Sequence, residues 1–349
     1  MTSSREAGQR STSTSNRTTA GESVQEGVLE LPQPFALHHG GTLPKVRVAW
    51  RLAGAAGGPV VVALGGISAH RQVHGNESAR GWWDGIVGPH QALDTTCVRV
   101  LGLDYLGGSG GSTGPASGQR DFPSISAFDQ AELLERVRAG LGIERIAAIA
   151  GASYGGMVAL AYAARYPNRV GQLVVISAAH RTHPMATAWR SLQREIVRFG
   201  VANEDSAGGL RLARALAMAT YRTPGEFADR FAGEPSRRDQ RFEFPVERYL
   251  LARGDAYVQS YRAESFVCLS ESIDLHRVDP ASITTPVTLV AVREDQLVPL
   301  ADMRELAGQL AGPSQLIELS SPFGHDAFLK ESQALTAVFA PLVAGESKP

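Results

Sequence analysis

The chain has 349 residues, 43% of them hydrophobic and 20% charged, and a formal net charge of -1. That length suits one large α/β domain with an insertion, or two ordinary domains. The near-neutral charge gives nucleic acid or an anionic membrane no electrostatic hold, and no apolar run approaches the roughly 20 residues of a membrane helix.

The opening stretch, MTSSREAGQRSTSTSNRTTAGES, is rich in Ser, Thr and Arg and lacks the apolar segment of a secretory signal. Residues 1–26 read as a disordered tail. Strand-like runs follow in LELPQPFAL, KVRVAWRLAG, GPVVVALGG and TCVRVLGLDYLG. A helix is predicted in SISAFDQAELLERVRAGLG and a strand in ERIAAIAGAS. A second helix opens at Tyr154, and VGQLVVISAA closes the series as a strand. Apolar runs alternating with helices predict a mainly parallel sheet covered on both faces. From His183 to Leu275 the texture changes to Arg- and Glu-rich helical periodicity with no convincing strand, as in TAWRSLQREIVRFG and PVERYLLARGDAYVQSY. Strand texture returns in TTPVTLVAV and SQLIELS. The chain thus divides into an α/β core, 27–182 and 276–345, and a helical lid insertion, 183–275. Cys97 and Cys268 form no motif and read as reduced thiols of a cytoplasmic protein.

The chemistry begins at Gly151-Ala-Ser153-Tyr-Gly155, between a buried strand and an Ala-rich helix. This is a nucleophile-elbow pattern: the small residues let a sharp turn close, and the turn lifts the serine hydroxyl to a helix N-terminus. In that arrangement an acid and then a histidine follow later in the chain, each just past a strand. Asp295 follows TTPVTLVAV and His325 follows SQLIELS. Glu294 is a rival acid, and Asp295 could instead cap the helix after it. His325 would take the serine proton, and Asp295 would orient and charge-stabilise the imidazole. The oxyanion donors are expected at the backbone N–H of Tyr154 and of Ile67, in the loop after GPVVVALGG. His70 and His74 have helical spacing for a metal, but no third ligand is evident, so no metal is assigned.

The chain resembles the homoserine O-acyltransferases of the α/β-hydrolase superfamily from about residue 30 onward. The likeness rests on GWWDGIVGPHQALDT (81–95), LGGSGGSTGPAS (106–117), GASYGGM (151–157), ARALAMATYR (213–222), DQLVP (295–299) and GHDAF (324–328). At the elbow, Ala152 and Tyr154 stand where the family usually has glycine and methionine. The resemblance implies an α/β-hydrolase fold, no cofactor, and an acyl-CoA as substrate rather than cofactor. It implies attack by Ser153 on the thioester and transfer of the acyl group to an amino-acid hydroxyl, a step of methionine biosynthesis. Arg214 would grip the acceptor carboxylate and Asp326 its ammonium. The run Arg190-Ser-Leu-Gln-Arg194 resembles that of succinyl-using members, so Arg190, or Arg194 in its place, would select succinyl-CoA over acetyl-CoA. L-homoserine is the expected acceptor and a homodimer the expected assembly. The alternatives are acetyl transfer to homoserine, succinyl transfer to L-serine, and hydrolysis by a thioesterase.

Overall fold

The computed structural model describes residues 12–343 apart from 20–21 and 77–78. Its principal sheet contains β1 (Thr12–Thr19), β2 (Glu22–Leu31), β3 (Val46–Ala55), β4 (Val60–Leu64), β5 (Arg99–Leu103), β6 (Ile146–Ala152), β7 (Val170–Ile176), β8 (Val287–Val292) and β9 (Ser314–Leu319). Their spatial order is β1-β2-β3-β5-β4-β6-β7-β8-β9. The strands from β5 to β9 run parallel, while β1, β2 and β3 add an antiparallel flank.

The central strands are apolar along their length because both faces are covered. Their side chains alternate between two cores. Val60, Val62 and Leu64 of β4 face the first core, whereas Val61 and Ala63 face the second. In β6, Ile149 joins the first core, and Ala148, Ala150 and Ala152 join the second. Helices α1 (Ala127–Gly140) and α2 (Tyr154–Arg165) pack on the first face. A capping box between Ser126 and Asp129 fixes the start of α1.

Between β7 and β8 the chain leaves the sheet to form α3 (Pro184–Ala202), α4 (Ser206–Tyr221), α5 (Pro224–Phe231), α6 (Pro245–Val258) and α7 (Ala263–Asp274). Val197, Leu210, Ala213, Tyr257, Ala263 and Phe266 give this insertion a small core of its own. A short hairpin, Ser236–Arg238 with Arg241–Glu243, interrupts the helices where the sequence reading finds no strand. Helix α8 (Leu300–Gln309) follows β8, and α9 (Ser332–Val343) closes the described chain. No helix among the described residues is long and apolar enough to cross a membrane.

The reading of 1–26 as a disordered tail needs correction. Residues 1–11 lie outside the described residues, but β1 pairs with β2 from Thr12↔Leu29 to Thr19↔Glu22. In turn β2 pairs with β3 from Glu22↔Ala55 to Leu31↔Val46. Sheet pairing uses backbone groups, which a polar composition does not remove, and β-branched threonine favours extended backbone. The run LELPQPFAL is likewise not one strand. It leaves the sheet after Leu31, at Pro32, where the missing N–H ends the ladder.

Candidate active site

At the end of β6, Ser153 adopts φ 54° and ψ −124°, and α2 begins at the next residue. Positive φ is uncommon for a residue with a side chain and is costly to hold. Close packing holds it here. A Cβ on Gly151 would lie 2.3 Å from the Gly155 carbonyl oxygen, and one on Gly155 would lie 2.2 Å from that of Leu64. The backbone N–H of Ser153 donates to Ile176 O at 2.9 Å, and that of Gly155 donates to Gly65 O at 2.9 Å. The elbow is therefore tied to the ends of both neighbouring strands.

The loops after β8 and β9 bring the other two residues to it. His325 Nε2 lies 2.9 Å from Ser153 Oγ, and His325 Nδ1 lies 2.7 Å from Asp295 Oδ2. The second oxygen of Asp295 accepts the N–H groups of Leu297 at 2.8 Å and Val298 at 3.0 Å. Its carboxylate is thereby aimed at the imidazole. Glu294 turns away to accept Ser320 Oγ and the Ser321 N–H. Burial of His325 works against its charged form. The charge and hydrogen bond of Asp295, with the charge of Asp326, outweigh that and hold its ionisation above the ordinary histidine value.

Several motif residues brace this assembly. Trp83 is buried, and its Nε1–H donates to Phe328 O at 2.8 Å, anchoring the turn that carries His325. Trp82 stacks on it at 4.8 Å and packs beside Gly65, leaving no room for a side chain there. The ring of Tyr154 points into the protein, where its hydroxyl meets Ser272 Oγ at 2.7 Å and Gln130 Nε2 at 3.3 Å. That hydroxyl ties the elbow to α1 and α7, so the tyrosine has its polar partners supplied. The backbone N–H of Tyr154 belongs to the first turn of α2, where N–H groups lack intrahelical acceptors. Ile67 lines the cavity beside Ser153 and His325, and its carbonyl accepts Tyr261 Oη at 2.8 Å.

Two chambers meet at Ser153. The first is lined by Gly66, Ile67, Trp82, Arg214, Tyr221 and Asp326. Through Ile67, Ser68 and Arg214 it joins an open cleft of about 480 Å³. The Arg214 guanidinium lies over the rings of Tyr257 at 4.7 Å and Tyr221 at 5.4 Å. Burial disfavours its charge, but the two tyrosines and Asp326 outweigh that and raise its ionisation. Among the described residues no carboxylate lies within ion-pair distance of Arg214. Asp326 is buried and accepts Arg222 Nε at 3.0 Å.

The second chamber, on the other side of Ser153, is lined in part by Met157, Ser177, Arg190, Gln193, Phe266 and Ser270. Arg190 Nε donates to Asp274 Oδ1 at 2.8 Å, and Arg194 Nη1 donates to Asp274 Oδ2 at 2.6 Å. Both arginines of the Arg-Ser-Leu-Gln-Arg run thus share one carboxylate, and it is Arg190 that lines the chamber.

The structure brings together Ser153, Asp295, His325, Arg214, Asp326, Arg190, Tyr154 and Ile67. It does not bring together His70 and His74 at helical spacing, since residues 67–74 contain no helix. Sequence reasoning missed Arg222, Asp274, Tyr221 and Tyr257. Arg222 stands in the ARALAMATYR segment, whose second arginine was the available signal. Cys268 is no rival nucleophile, because burial pushes its thiol up to about 12.

Residues 59–332 match the alpha/beta hydrolase fold family. The chain is 42% identical to a homoserine O-succinyltransferase of Xanthomonas campestris pv. campestris, over 90% of this chain and 82% of that protein. It is 34% identical to a serine O-succinyltransferase of Litchfieldella anticariensis, over 90% of this chain and 96% of that one. Among solved structures, esterase E22 superposes with a TM-score of 0.81 at 21% identity, covering 92% of this chain and all of that one. The last likeness concerns the fold alone.

Proposed function

Because this chain belongs to the homoserine O-acyltransferase family of the α/β-hydrolase fold, we propose that it moves the succinyl group of succinyl-CoA to the side-chain hydroxyl of L-homoserine through an acyl-enzyme on Ser153. Ser153 Oγ attacks the thioester carbonyl as His325 Nε2 takes its proton, and Asp295 stabilises the imidazolium. The carbon–sulfur bond breaks, and CoA leaves as the thiol carrying that proton. The homoserine hydroxyl then gives its proton to His325 and attacks the ester. The proton returns to Ser153 Oγ, and O-succinylhomoserine departs. In both halves the N–H groups of Tyr154 and Ile67 would receive the oxyanion.

The observation that carries this reading is the pair Arg214 and Asp326, a cation and an anion in one chamber with Ser153 and His325. A zwitterionic amino acid needs both, and among the described residues no carboxylate ion-pairs with the guanidinium. Held there, the acceptor hydroxyl competes with water by position. The donor follows from the other chamber. Two guanidinium groups share Asp274, so a succinyl carboxylate completes the charge balance, whereas acetyl leaves it open. Exposed Met185, Leu192 and Phe199 form an apolar row on α3, which supports a homodimer built through the insertion.

The test is a matrix of succinyl-CoA and acetyl-CoA against L-homoserine and L-serine, with free CoA release as readout. The highest kcat/KM is expected for succinyl-CoA with L-homoserine, and little release without acceptor. Equal CoA release with and without acceptor would make the protein a thioesterase and overturn the transferase reading.

A further inference from the structure

The chamber on the Arg190 side of Ser153 has about 50 Å³ of internal space. One water needs roughly 10–15 Å³ of such space, so a short acyl chain fits and the body of CoA does not. The cleft beyond Arg214, about ten times larger, is the place for the rest of the donor.

Two buried polar atoms in the small chamber, Ser177 Oγ and Arg190 Nη2, have no aligned hydrogen bond among the described residues, and the Gln193 amide lines the same space. Ser177 is 1% exposed, and its Oγ has no hydrogen-bond partner among the described residues. Gln193 is 3% exposed, and its amide makes no hydrogen bond among the described residues. Arg190 Nη2 is buried 2.7 Å from Asp274 Oδ1, yet makes no aligned hydrogen bond. An unsatisfied buried polar group is costly, and native proteins keep few of them. Here the groups converge on one cavity from different elements, the end of β7 and helix α3. Ser177 also holds φ 49°, and it follows Ile176, whose carbonyl accepts the Ser153 N–H. Its hydroxyl is therefore placed by the same strand end that holds the elbow. Of the charged groups lining the chamber, Arg181 is held bidentately by Glu305, at 2.6 and 2.7 Å, and Asp302 is the carboxylate.

We propose that Ser177 and Gln193, together with Arg190, form the subsite that reads the distal carboxylate of the acyl group. The serine O–H and the amide N–H donate to its oxygens, and the guanidinium supplies the opposite charge. This rests on the succinyl-CoA reading above and adds two specificity-determining residues to it. With acetyl as the acyl group, Ser177 Oγ and the Gln193 amide gain no acceptor from the donor.

The experiment measures kcat/KM for succinyl-CoA and for acetyl-CoA at saturating L-homoserine, with melting temperatures, in wild type and three variants. Gln193→Met keeps the volume without the amide, and Ser177→Gly removes the hydroxyl at a φ that glycine adopts freely. Gln193→Glu keeps the shape and opposes the carboxylate with a like charge. The succinyl-to-acetyl ratio is expected to fall about tenfold or more in Gln193→Met, the size of one lost charge-assisted hydrogen bond. It should fall several-fold in Ser177→Gly and furthest in Gln193→Glu, with most of the loss in donor KM. A succinyl preference that survives in all three variants overturns the subsite and leaves the donor reading standing. Equal loss with both donors, alongside a lowered melting temperature, marks a packing role and also overturns it. A wild type that prefers acetyl-CoA overturns the donor reading and the subsite together.

Discussion

Ser153, Asp295 and His325 stand on loops leaving one end of the sheet, whereas Arg190, Gln193 and Arg214 stand on α3 and α4 of the insertion. The two regions differ in how far their side chains are covered. Around the elbow, Ala152, Tyr154 and Leu160 are fully buried, and a single added methyl group would meet backbone. In the insertion, Arg214 is held by ring faces rather than an ion pair, and α3 leaves Leu192 and Phe199 more than half exposed. Reacting atoms must be placed within a fraction of an ångström, so that geometry sits on the rigid sheet. The side chains proposed to choose the substrates sit on helices of the insertion.

If this contrast is right, sheet-borne changes abolish chemistry and insertion-borne changes redirect it. The largest effect is expected from Ser153→Ala, which should lower kcat by about 10⁴-fold or more. Incubation with acyl-CoA should then leave the peptide containing residue 153 unlabelled by mass. Near-wild-type turnover would remove the acyl-enzyme.

Asp295→Asn should cost about 10⁴-fold in kcat, because the imidazole loses its tautomer and its counter-charge. It also tests the electrostatics of His325. Burial lowers that ionisation and the Asp295 charge raises it above the ordinary value. A general base must be neutral, so wild-type kcat/KM should fall as pH drops through the raised value. Removing the charge leaves burial dominant, and the acidic limb of the profile should move to lower pH. A limb that stays in place assigns it to another group.

Arg214→Leu changes the insertion alone. It should raise the L-homoserine KM by roughly tenfold or more, the worth of a charge-assisted hydrogen bond. The burst of CoA release without acceptor should suffer much less. A collapse of the burst would show that the insertion shapes acylation too, and the division between regions would fail.

The smallest effects concern stability. Gly155→Ala drives a methyl group to 2.2 Å from Leu64 O, while Gly233→Ala meets only Pro245 Cγ at 3.5 Å. The first should cost about 1–3 kcal/mol and the second less than about 0.5 kcal/mol, read as melting temperature shifts. Equal shifts would show that the close approach of Gly155 to Leu64 does not constrain the elbow.

The parallel sheet, the helical insertion and the order Ser153, Asp295, His325 were legible in the amino-acid sequence because each is written locally. Apolar runs mark strands buried on both faces, glycine spacing marks the elbow, and acid and histidine follow strand ends. What depended on residues far apart in the chain was not legible. Asp295 and Glu294 are neighbours, and only the loop after β9 decides between them: His325 meets one, while Ser320 and Ser321 occupy the other. Arg190 and Arg194 meet Asp274 across 84 and 80 residues, and Arg222 meets Asp326 across 104. The polar stretch Thr12–Thr19 becomes a strand because β2 offers it a free edge. Pairing of charges and of backbone edges is set by which partner the fold brings within about 3 Å, and composition carries no record of that partner.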